Sequence, residues 1–490
     1  MIFTSFIYLI FIGIVAVVYY LIPVKNRWKL ILLASIAYYI SFIPLFILPL
    51  AALVAANYFL ARMMGAKEGR QKLLLFLAIV FINVFILCFF KYFSNIFPEN
   101  QVNLYRVNIF FKTDPVDRII LPLGFSYIVF TALAYQIEIK RNNIRPEANA
   151  GIFSLYLLFF PKVAQGPVER PMNLIKQFSQ THEFDYDMVV NGLKTILVGY
   201  FKKLVVADRL AVYVSAVYGN SDQHNGTSLF VATVFFAFQI YADFSGYTDI
   251  AIGSAKIFGI NLTDNFRQPY LATSIKDFWD RWHITFSTWL RDYIFTPVAI
   301  WLSSVMPKET YLKVSSGKWV YLFSSMVTFT LCGMWHGVGW TYLLWGSLFG
   351  VYLTYHNWTA KFNKRIRKRL GINMHSRSYT FLRITTTFFL VLICWIIFRA
   401  QSVDQAMQIM KSILISHGSI FYEKSSDLIF SVMGISALIA IDLKREYFNS
   451  RVSVFYNRFL PVRMAGIVFI VITVLLSGVF DGSQFIYFQF

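Results

Sequence analysis

Apolar runs long enough to cross a lipid bilayer recur along almost the whole chain, and short clusters of lysine and arginine separate them. A membrane-spanning helix needs about 20 apolar residues, so a chain of 490 residues could cross a bilayer about ten times. Hydrophobic residues make up 57% of the chain and charged residues only 14%, whereas soluble domains carry about 25% charged residues. The sequence therefore predicts an all-α polytopic membrane protein, with about ten or more transmembrane helices. It excludes an ordinary soluble enzyme and a disordered chain.

The basic clusters predict how these runs are oriented, because cytosolic loops of membrane proteins carry an excess of Lys and Arg. The first run, residues 2–22, is followed at once by three basic residues at 25–29, which places the N-terminus outside. The same rule places the dense cluster at 361–369 in the cytosol, and the loop 93–117 and the C-terminal tail 481–490 outside. The net charge is +20, and the basic residues that produce it lie between the apolar runs. We therefore expect contact with the bilayer and its anionic lipids, and no nucleic-acid partner.

Residues 150–310 do not follow this regular pattern. The segments 160–171 and 265–297 are too short or too polar to span a bilayer cleanly, and three prolines and a glycine interrupt the first of them. Proline ends helices, so we expect a re-entrant turn with a structural role at 160–171. Non-helical backbone at membrane depth must be buried in protein or line a water-filled cavity. The middle of the chain is therefore predicted to form a re-entrant core flanked by regular helices.

Metal and nucleotide chemistry find little support in the sequence. The three cysteines, Cys88, Cys332 and Cys394, all lie inside apolar runs, with neither a disulfide framework nor zinc-ligand spacing. Motifs of the P-loop, the zinc proteases and the dinucleotide-binding fold do not occur. We therefore expect no bound metal.

His336 is the first candidate for chemistry, because ionisable side chains inside membrane segments are costly and so usually functional. The orientation rule places it at an outward turn, or at a helix end within the membrane. Glycines at 333, 337 and 339 surround it and permit close approach of a ligand or of another backbone. An imidazole could take a proton from a hydroxyl; the structural alternative is a histidine that is hydrogen-bonded between helices. Cys332 could form an acyl-cysteine with it, although a small residue at a helix contact is the favoured interpretation.

The segment 265–293 is the second candidate. Asp277–Arg281 and Asp280–His283 have the spacing of ion pairs on one helical face, which predicts an amphipathic helix that carries these pairs and enters the membrane at its cytosolic face. The functional interpretation is a basic, aromatic-lined mouth for a phosphate-bearing cofactor. The structural alternative is an interfacial helix with an aromatic belt.

Two carboxylates, Asp243 and Asp249, form the third candidate within the apolar run 239–249. Carboxylates at membrane depth need partners, and we expect Arg267 or Arg281 to provide them. A proton or cation path, or support for a reaction chamber, is the functional interpretation. A buried polar network that fixes helix packing is the structural one.

Taken in order along the chain, these motifs resemble the membrane-bound O-acyltransferase family, and within it the branch that O-acetylates bacterial alginate. The blocks that carry the resemblance are Pro122–Tyr127, Phe160–Pro167, Tyr241–Asp249, Asn265–Tyr270, Asp277–His283, Ser287–Tyr293, Met334–Gly337 with Trp345–Gly346, and Trp395–Ala400. The resemblance implies one membrane-embedded domain over 1–490, with N-terminal helices at 1–118, an acyltransferase core at 119–400, and C-terminal helices with an external tail at 401–490. It also implies that the core helices and re-entrant segments form a central tunnel.

The resemblance implies acyl transfer across the membrane, from a cytosolic thioester to a hydroxyl. On this basis His336 matches the catalytic histidine, as general base, and His283 matches the second characteristic polar position. The remaining expected site residues bind the donor acetyl-CoA or support the two histidines: Arg267, Lys276, Arg281 and Arg291 at the donor, and Asp243, Asp249, Asp280 and Trp335 in the supporting network. The expected acceptor is an extracytoplasmic polysaccharide, reached through a partner of the SGNH hydrolase-like kind. The expected location is the bacterial cytoplasmic membrane, with both termini outside.

Two other functions remain open at this stage. Within the same family, D-alanyl transfer to teichoic acid is the main alternative, although the long region after residue 400 argues mildly against it. From a different class, a secondary transporter could use Asp243 and Asp249 as an ion site. Transporters often contain internal repeats with paired broken helices, and the sequence contains no convincing repeat.

Overall fold

A computed structural model describes residues 2–41, 44–96, 124–374, 376–448, 455 and 457–480. Helices form nearly all of the regular structure in these residues, which confirms the all-α class. The tail 481–490, most of the loop 93–117 and the first two residues of the block 122–127 lie outside the described residues.

The α-helices are numbered in chain order. They are α1 Phe6–Leu21, α2 Val24–Ile40, α3 Ile47–Gly65, α4 Gly69–Ile96, α5 Phe125–Lys140, α6 Ala150–Leu158, α7 Pro171–Phe178, α8 Tyr186–Tyr200, α9 Asp208–Gly219, α10 Gly226–Ile257, α11 Ile275–Trp279, α12 Ile284–Leu290, α13 Thr296–Val305, α14 Ser316–His336, α15 Trp340–Arg369, α16 Arg377–Arg399, α17 Val403–Ile415, α18 Ser425–Phe448 and α19 Leu460–Ser477. The remaining elements are 3₁₀ turns at Pro44–Phe46 and Pro269–Leu271, π-helical segments at Phe201–Ala207 and Arg291–Phe295, and a small antiparallel pair, β1 Thr310–Tyr311 and β2 Val314–Ser315.

Six of the helices in the described residues are long and apolar enough to cross a membrane, namely α3, α4, α10, α16, α18 and α19. Their outer surfaces are apolar as well. On α4, for example, Phe81 is 68% exposed and Phe85 is 56% exposed, and their rings stack on one another. Large aromatic side chains in such positions suit lipid better than water. The chain is therefore a membrane protein.

The contacts divide the chain into two compact units. The first comprises residues 1–196 with 250–263, and the second comprises 197–249 with 264–490. The helix α10 contributes residues to both. All ten residues that the sequence assigns to the site belong to the second unit.

The proline-rich segment 160–171 is a buried, non-helical turn in the first unit, as the sequence predicts. It follows the end of α6 at Leu158, and its residues up to Glu169 are buried. The Glu169 carboxylate accepts a hydrogen bond from the backbone N–H of Thr263 at 2.5 Å. This bond ties the end of the turn to the chain that follows α10, which is a structural role.

Helices α14 and α15 form a closely packed antiparallel hairpin in the second unit. A Cβ added at Gly333 would lie 2.2 Å from the carbonyl oxygen of Tyr342, and one added at Gly346 would lie 2.1 Å from that of Phe329. The predicted close approach at Gly333 is therefore confirmed, and what approaches is the backbone of α15. The hairpin places His336 at the last position of α14, the predicted helix end.

This packing gives a prediction for Gly346→Ala. We expect the variant to lose about 1–3 kcal/mol of stability, because the new methyl group would meet a backbone carbonyl that cannot move aside. Gly317→Ala, on α14 of the same hairpin, is the matched control, since nothing lies within 4 Å of its added Cβ. Thermal unfolding of the two purified variants in the same detergent measures the difference. Equal unfolding temperatures would contradict the close approach of the two backbones.

Candidate active site

The two histidines singled out by the sequence are joined through aromatic rings. The ring of His283 lies 5.0 Å from that of Phe286, between centroids, and Phe286 lies 4.6 Å from Trp335. Trp335 is in turn 4.5 Å from His336. Both histidines are buried, so two polar rings from separate parts of the chain share one apolar enclosure.

Helices α15 and α16 complete the wall around His336. Trp345 of α15 meets its imidazole edge-on at 4.9 Å, and Phe398 of α16 does so at 5.3 Å. The two aromatic residues also contact each other at 5.2 Å. These rings exclude bulk water from the imidazole, which strengthens any electrostatic interaction made there.

His283 lies at a break between α11 and α12, so the prediction of an amphipathic helix that carries both ion pairs is wrong. Its backbone is left-handed, with φ 44°, which is rare for a residue other than glycine. The break is held by the chain around Asn265, whose carbonyl oxygen accepts the backbone N–H of Ile284 at 2.9 Å. These tertiary bonds replace the helical bonds that spacing alone would predict.

The ion pairs of this segment follow the predicted spacing only in part. Arg281 Nε donates to Asp277 at 2.7 Å, as predicted. Asp280 does not pair with His283 but with Lys276, at 3.3 Å, and both of these side chains are more than half exposed. Burial alone would raise the pKa of Asp277, but hydrogen bonds from Thr273 and Arg281 outweigh it and hold that pKa below its ordinary value.

A cavity of about 310 Å³ lies beside this segment. Lys276 and Arg291 line it, together with Asp280. The rest of the lining combines aromatic, hydroxyl and aliphatic side chains, including Trp279, Phe295, Tyr321, Ser287, Thr288, Ser325, Ile284, Leu290 and Leu353. Of the four basic residues expected at the donor, the structure thus brings two to one cavity.

The other two basic residues lie apart from the lining of that cavity. Arg281 is engaged by two carboxylates, Asp277 at 2.7 Å and Glu446 at 2.8 Å. Arg267 contacts the segment through its backbone: its N–H donates to the carbonyl oxygen of Arg281 at 3.0 Å.

Two lysines that the sequence analysis missed neutralise the carboxylates of α10. Lys203 Nζ lies 2.7 Å from both Asp243 and Asp208, and Lys202 Nζ lies 2.7 Å from Asp249. The expectation that Arg267 or Arg281 would pair with these carboxylates is therefore wrong. The π-helical segment Phe201–Ala207 buries both lysines. Two adjacent cations inside an apolar run were the signal that could have revealed them.

No group of three or more His, Cys, Asp or Glu side chains in the described part of the chain could hold a metal ion. The candidate site consists of two histidines, an aromatic enclosure and a partly basic cavity.

Comparison with known proteins places the chain in a family. The sequence profile of the membrane-bound O-acyltransferase family matches residues 148–395, which include every residue assigned to the site. A probable alginate O-acetylase of Azotobacter vinelandii is 32% identical over 414 residues, covering 83% of this chain and 76% of its own. One from Pseudomonas aeruginosa is 30% identical over 463 residues, covering 94% and 83%.

A teichoic acid D-alanyltransferase of Bacillus subtilis is also related, at 29% identity over 293 residues, which cover 59% of this chain and 71% of its own. The family match, the polytopic helical fold and the alginate O-acetylase relatives agree with one another. The chain belongs to the membrane-bound O-acyltransferase family and is an O-acyltransferase.

Proposed function

We propose that this O-acyltransferase moves an acetyl group from cytosolic acetyl-CoA to hydroxyls of an extracytoplasmic polysaccharide. The observation that carries the proposal is the aromatic enclosure that joins His283 to His336. It lies within the part of the chain that matches the family. The alginate O-acetylase relatives extend over most of the chain, which favours acetyl as the acyl group and a polysaccharide as the acceptor.

In the proposed reaction His336 acts as general base. Its imidazole takes the proton of the attacking hydroxyl while the hydroxyl oxygen forms a bond to the thioester carbonyl carbon. The carbon–sulfur bond then breaks, and the thiolate of CoA leaves with the proton that the imidazolium returns. We assign to His283 the second polar position beside the reacting groups. Trp335 supports both histidines, because its ring lies between Phe286 and His336.

The donor is proposed to bind at the cavity beside α12. Lys276 and Arg291 offer cations to the phosphates of CoA, since Arg in particular matches phosphate geometry. Arg281 is the weaker candidate because two carboxylates already engage it. Arg267 is retained as a candidate at the same end of the site, and Asp280 is assigned to hold Lys276.

This assignment predicts that Lys276→Gln and Arg291→Gln raise the KM for acetyl-CoA and change kcat little. The reason is that each removes a charge–phosphate contact that is equally present in the bound donor and in the transition state. We expect an effect of about tenfold for each, from the loss of roughly 1.4 kcal/mol. Initial rates over a range of acetyl-CoA concentrations measure it. Lys318→Gln is the control, because it also removes a basic side chain but one that does not line the cavity. An unchanged KM in both variants would move the donor site elsewhere.

The direct test of the proposed function uses inverted membrane vesicles, whose cytosolic face points outward, supplied with radiolabelled acetyl-CoA. We expect loss of the thioester and appearance of label in polymer, or in a partner protein, inside the vesicles. A preparation that includes an SGNH-like partner and polysaccharide but consumes no acetyl-CoA would overturn acetyl-CoA as the donor.

D-alanyl transfer to teichoic acid is the second candidate, favoured by the relative from Bacillus subtilis. That relative matches 59% of this chain, compared with 94% for the alginate O-acetylase of Pseudomonas aeruginosa. Supplying a D-alanyl thioester on a carrier protein, in place of acetyl-CoA, distinguishes the two donors in the same vesicles.

We further propose that the chain resides in the bacterial cytoplasmic membrane with both termini outside. The basic clusters between its apolar helices support this orientation. An SGNH-like partner on the outer side would complete transfer to the polysaccharide. Reporter fusions at the N-terminus and within 361–369 test the orientation, and the first should be accessible only from outside.

A further inference from the structure

Asn265 is almost fully buried and its side-chain oxygen collects three hydrogen-bond donors. The donors are the backbone N–H of Thr285 at 3.1 Å, the hydroxyl of the same residue at 2.9 Å, and Nδ1 of His283 at 3.0 Å. A backbone N–H can only donate, so the atom that receives it is the amide oxygen and not the amide nitrogen. The orientation of the Asn265 amide is thereby fixed.

The fixed amide determines which nitrogen of His283 carries hydrogen. An oxygen acceptor opposite Nδ1 requires that Nδ1 be the donor. In a neutral imidazole the other nitrogen, Nε2, then holds the lone pair. The local structure thus selects one of the two neutral forms of the ring.

The backbone around Asn265 and His283 also holds the imidazole of His283 in this orientation. Asn265 and Ile284 are joined by a 2.9 Å backbone bond, and the left-handed conformation of His283 persists beside it. Such a conformation is strained for a residue with a side chain, because its Cβ crowds the following carbonyl oxygen. Phe244 meets the imidazole edge-on at 4.7 Å and restricts its rotation. Strain retained at a buried polar residue is a reason to look for function there.

We propose that Asn265 is a positioning residue for acyl transfer, which holds His283 in the Nδ1–H form so that Nε2 serves as a hydrogen-bond acceptor. The inference rests on the proposed function, in which His283 occupies the second polar position. Through Nε2 the ring accepts a hydrogen bond from a hydroxyl at the reacting centre. Asn265 itself touches no reacting group and acts only through His283.

The test compares Asn265→Leu, which removes the acceptor at similar size, with Asn265→Asp, which keeps an oxygen opposite Nδ1. Solid-state NMR of protein with ¹⁵N-labelled histidine in bilayers reports the tautomer, and the His283→Gln spectrum assigns the signal. We expect a protonated Nδ1 and an unprotonated Nε2 in the wild type. Asn265→Asp should keep Nδ1 protonated. In Asn265→Leu the proton should move to Nε2, and kcat should fall about 10²-fold or more, with an unchanged KM for acetyl-CoA.

Thr285→Val is the matched control, because it removes one donor to Asn265 and leaves the His283 bond in place. An unchanged Nδ1–H signal and unchanged kcat in Asn265→Leu would overturn the positioning role. If His283→Gln itself retains full transfer, the assignment of His283 in the proposed function fails instead. If Asn265→Leu does not fold, an Asn265→Asp protein in which Nε2 carries the proton would overturn the proposal.

Discussion

Replacing His336 by alanine is expected to lower the rate of acetyl transfer by about 10²–10⁴-fold, the usual contribution of a general base. The imidazole lies at the end of α14, within rings of three helices. His283, which is joined to this enclosure through Phe286 and Trp335, is the alternative base for the proton of the hydroxyl. Because the rings of Trp345 and Phe398 contact each other directly, the enclosure should persist and the variant should fold. Transfer of radiolabel in inverted vesicles measures the rate.

His417→Ala is the matched control, because His417 is exposed in the segment between α17 and α18. We expect it to transfer acetyl at the wild-type rate. A folded His336→Ala protein that also transfers at the wild-type rate would move the base elsewhere, with His283 the next candidate. Folding is verified by size-exclusion chromatography and thermal unfolding before rates are compared.

Cys332 provides a second comparison near the same helix end. It is buried and lies one helical turn before His336. We expect Cys332→Ala to retain transfer, because the favoured interpretation of this residue is a small side chain at a helix contact. Label trapped on wild-type protein and absent from Cys332→Ala would instead indicate an acyl-cysteine intermediate.

The features that the sequence predicted correctly depend on short-range regularities. Apolar run length and the position of basic residues placed His336 at a helix end, since bilayer thickness and charge bias act along the chain. The pair Asp277–Arg281 was also predictable, because residues four apart meet on a helix. The turn at 160–171 followed from its prolines.

The features that the sequence did not reveal depend on contacts between distant residues. The break at His283 is held by Asn265, 18 residues earlier, and ion-pair spacing does not distinguish a broken helix from a continuous one. Lys203 meets Asp243 across 40 residues, so spacing could not identify this partner. The pairing of Arg281 with Glu446 spans 165 residues, and it gives a carboxylate partner to a cation that the motif alone had suggested for the donor site.

Lys203 is the residue whose loss should destabilise the fold most. Its ammonium lies 2.7 Å from two carboxylates, those of Asp208 and Asp243, and all three side chains are almost fully buried. Lys203→Met keeps much of the apolar stem but leaves both carboxylates without this cation. Removing one partner of a buried ion pair typically costs about 3–5 kcal/mol, and here two carboxylates are affected at once. We expect a correspondingly large fall in the temperature of thermal unfolding in detergent.

The same reasoning predicts a partial rescue. Adding Asp243→Asn to Lys203→Met removes one of the two negative charges that have lost the ammonium, so the double variant should unfold at a higher temperature than Lys203→Met alone. Lys276→Met is the exposed control: its ion pair with Asp280 is more than half exposed, and such pairs contribute about 0.3–0.5 kcal/mol. Acetyl transfer should fall together with stability in Lys203→Met, because Phe244, next to Asp243, packs against His283. A Lys203→Met protein as stable as Lys276→Met would show that water or another cation replaces the ammonium, and the buried cluster would then have no part in holding α10 against the site.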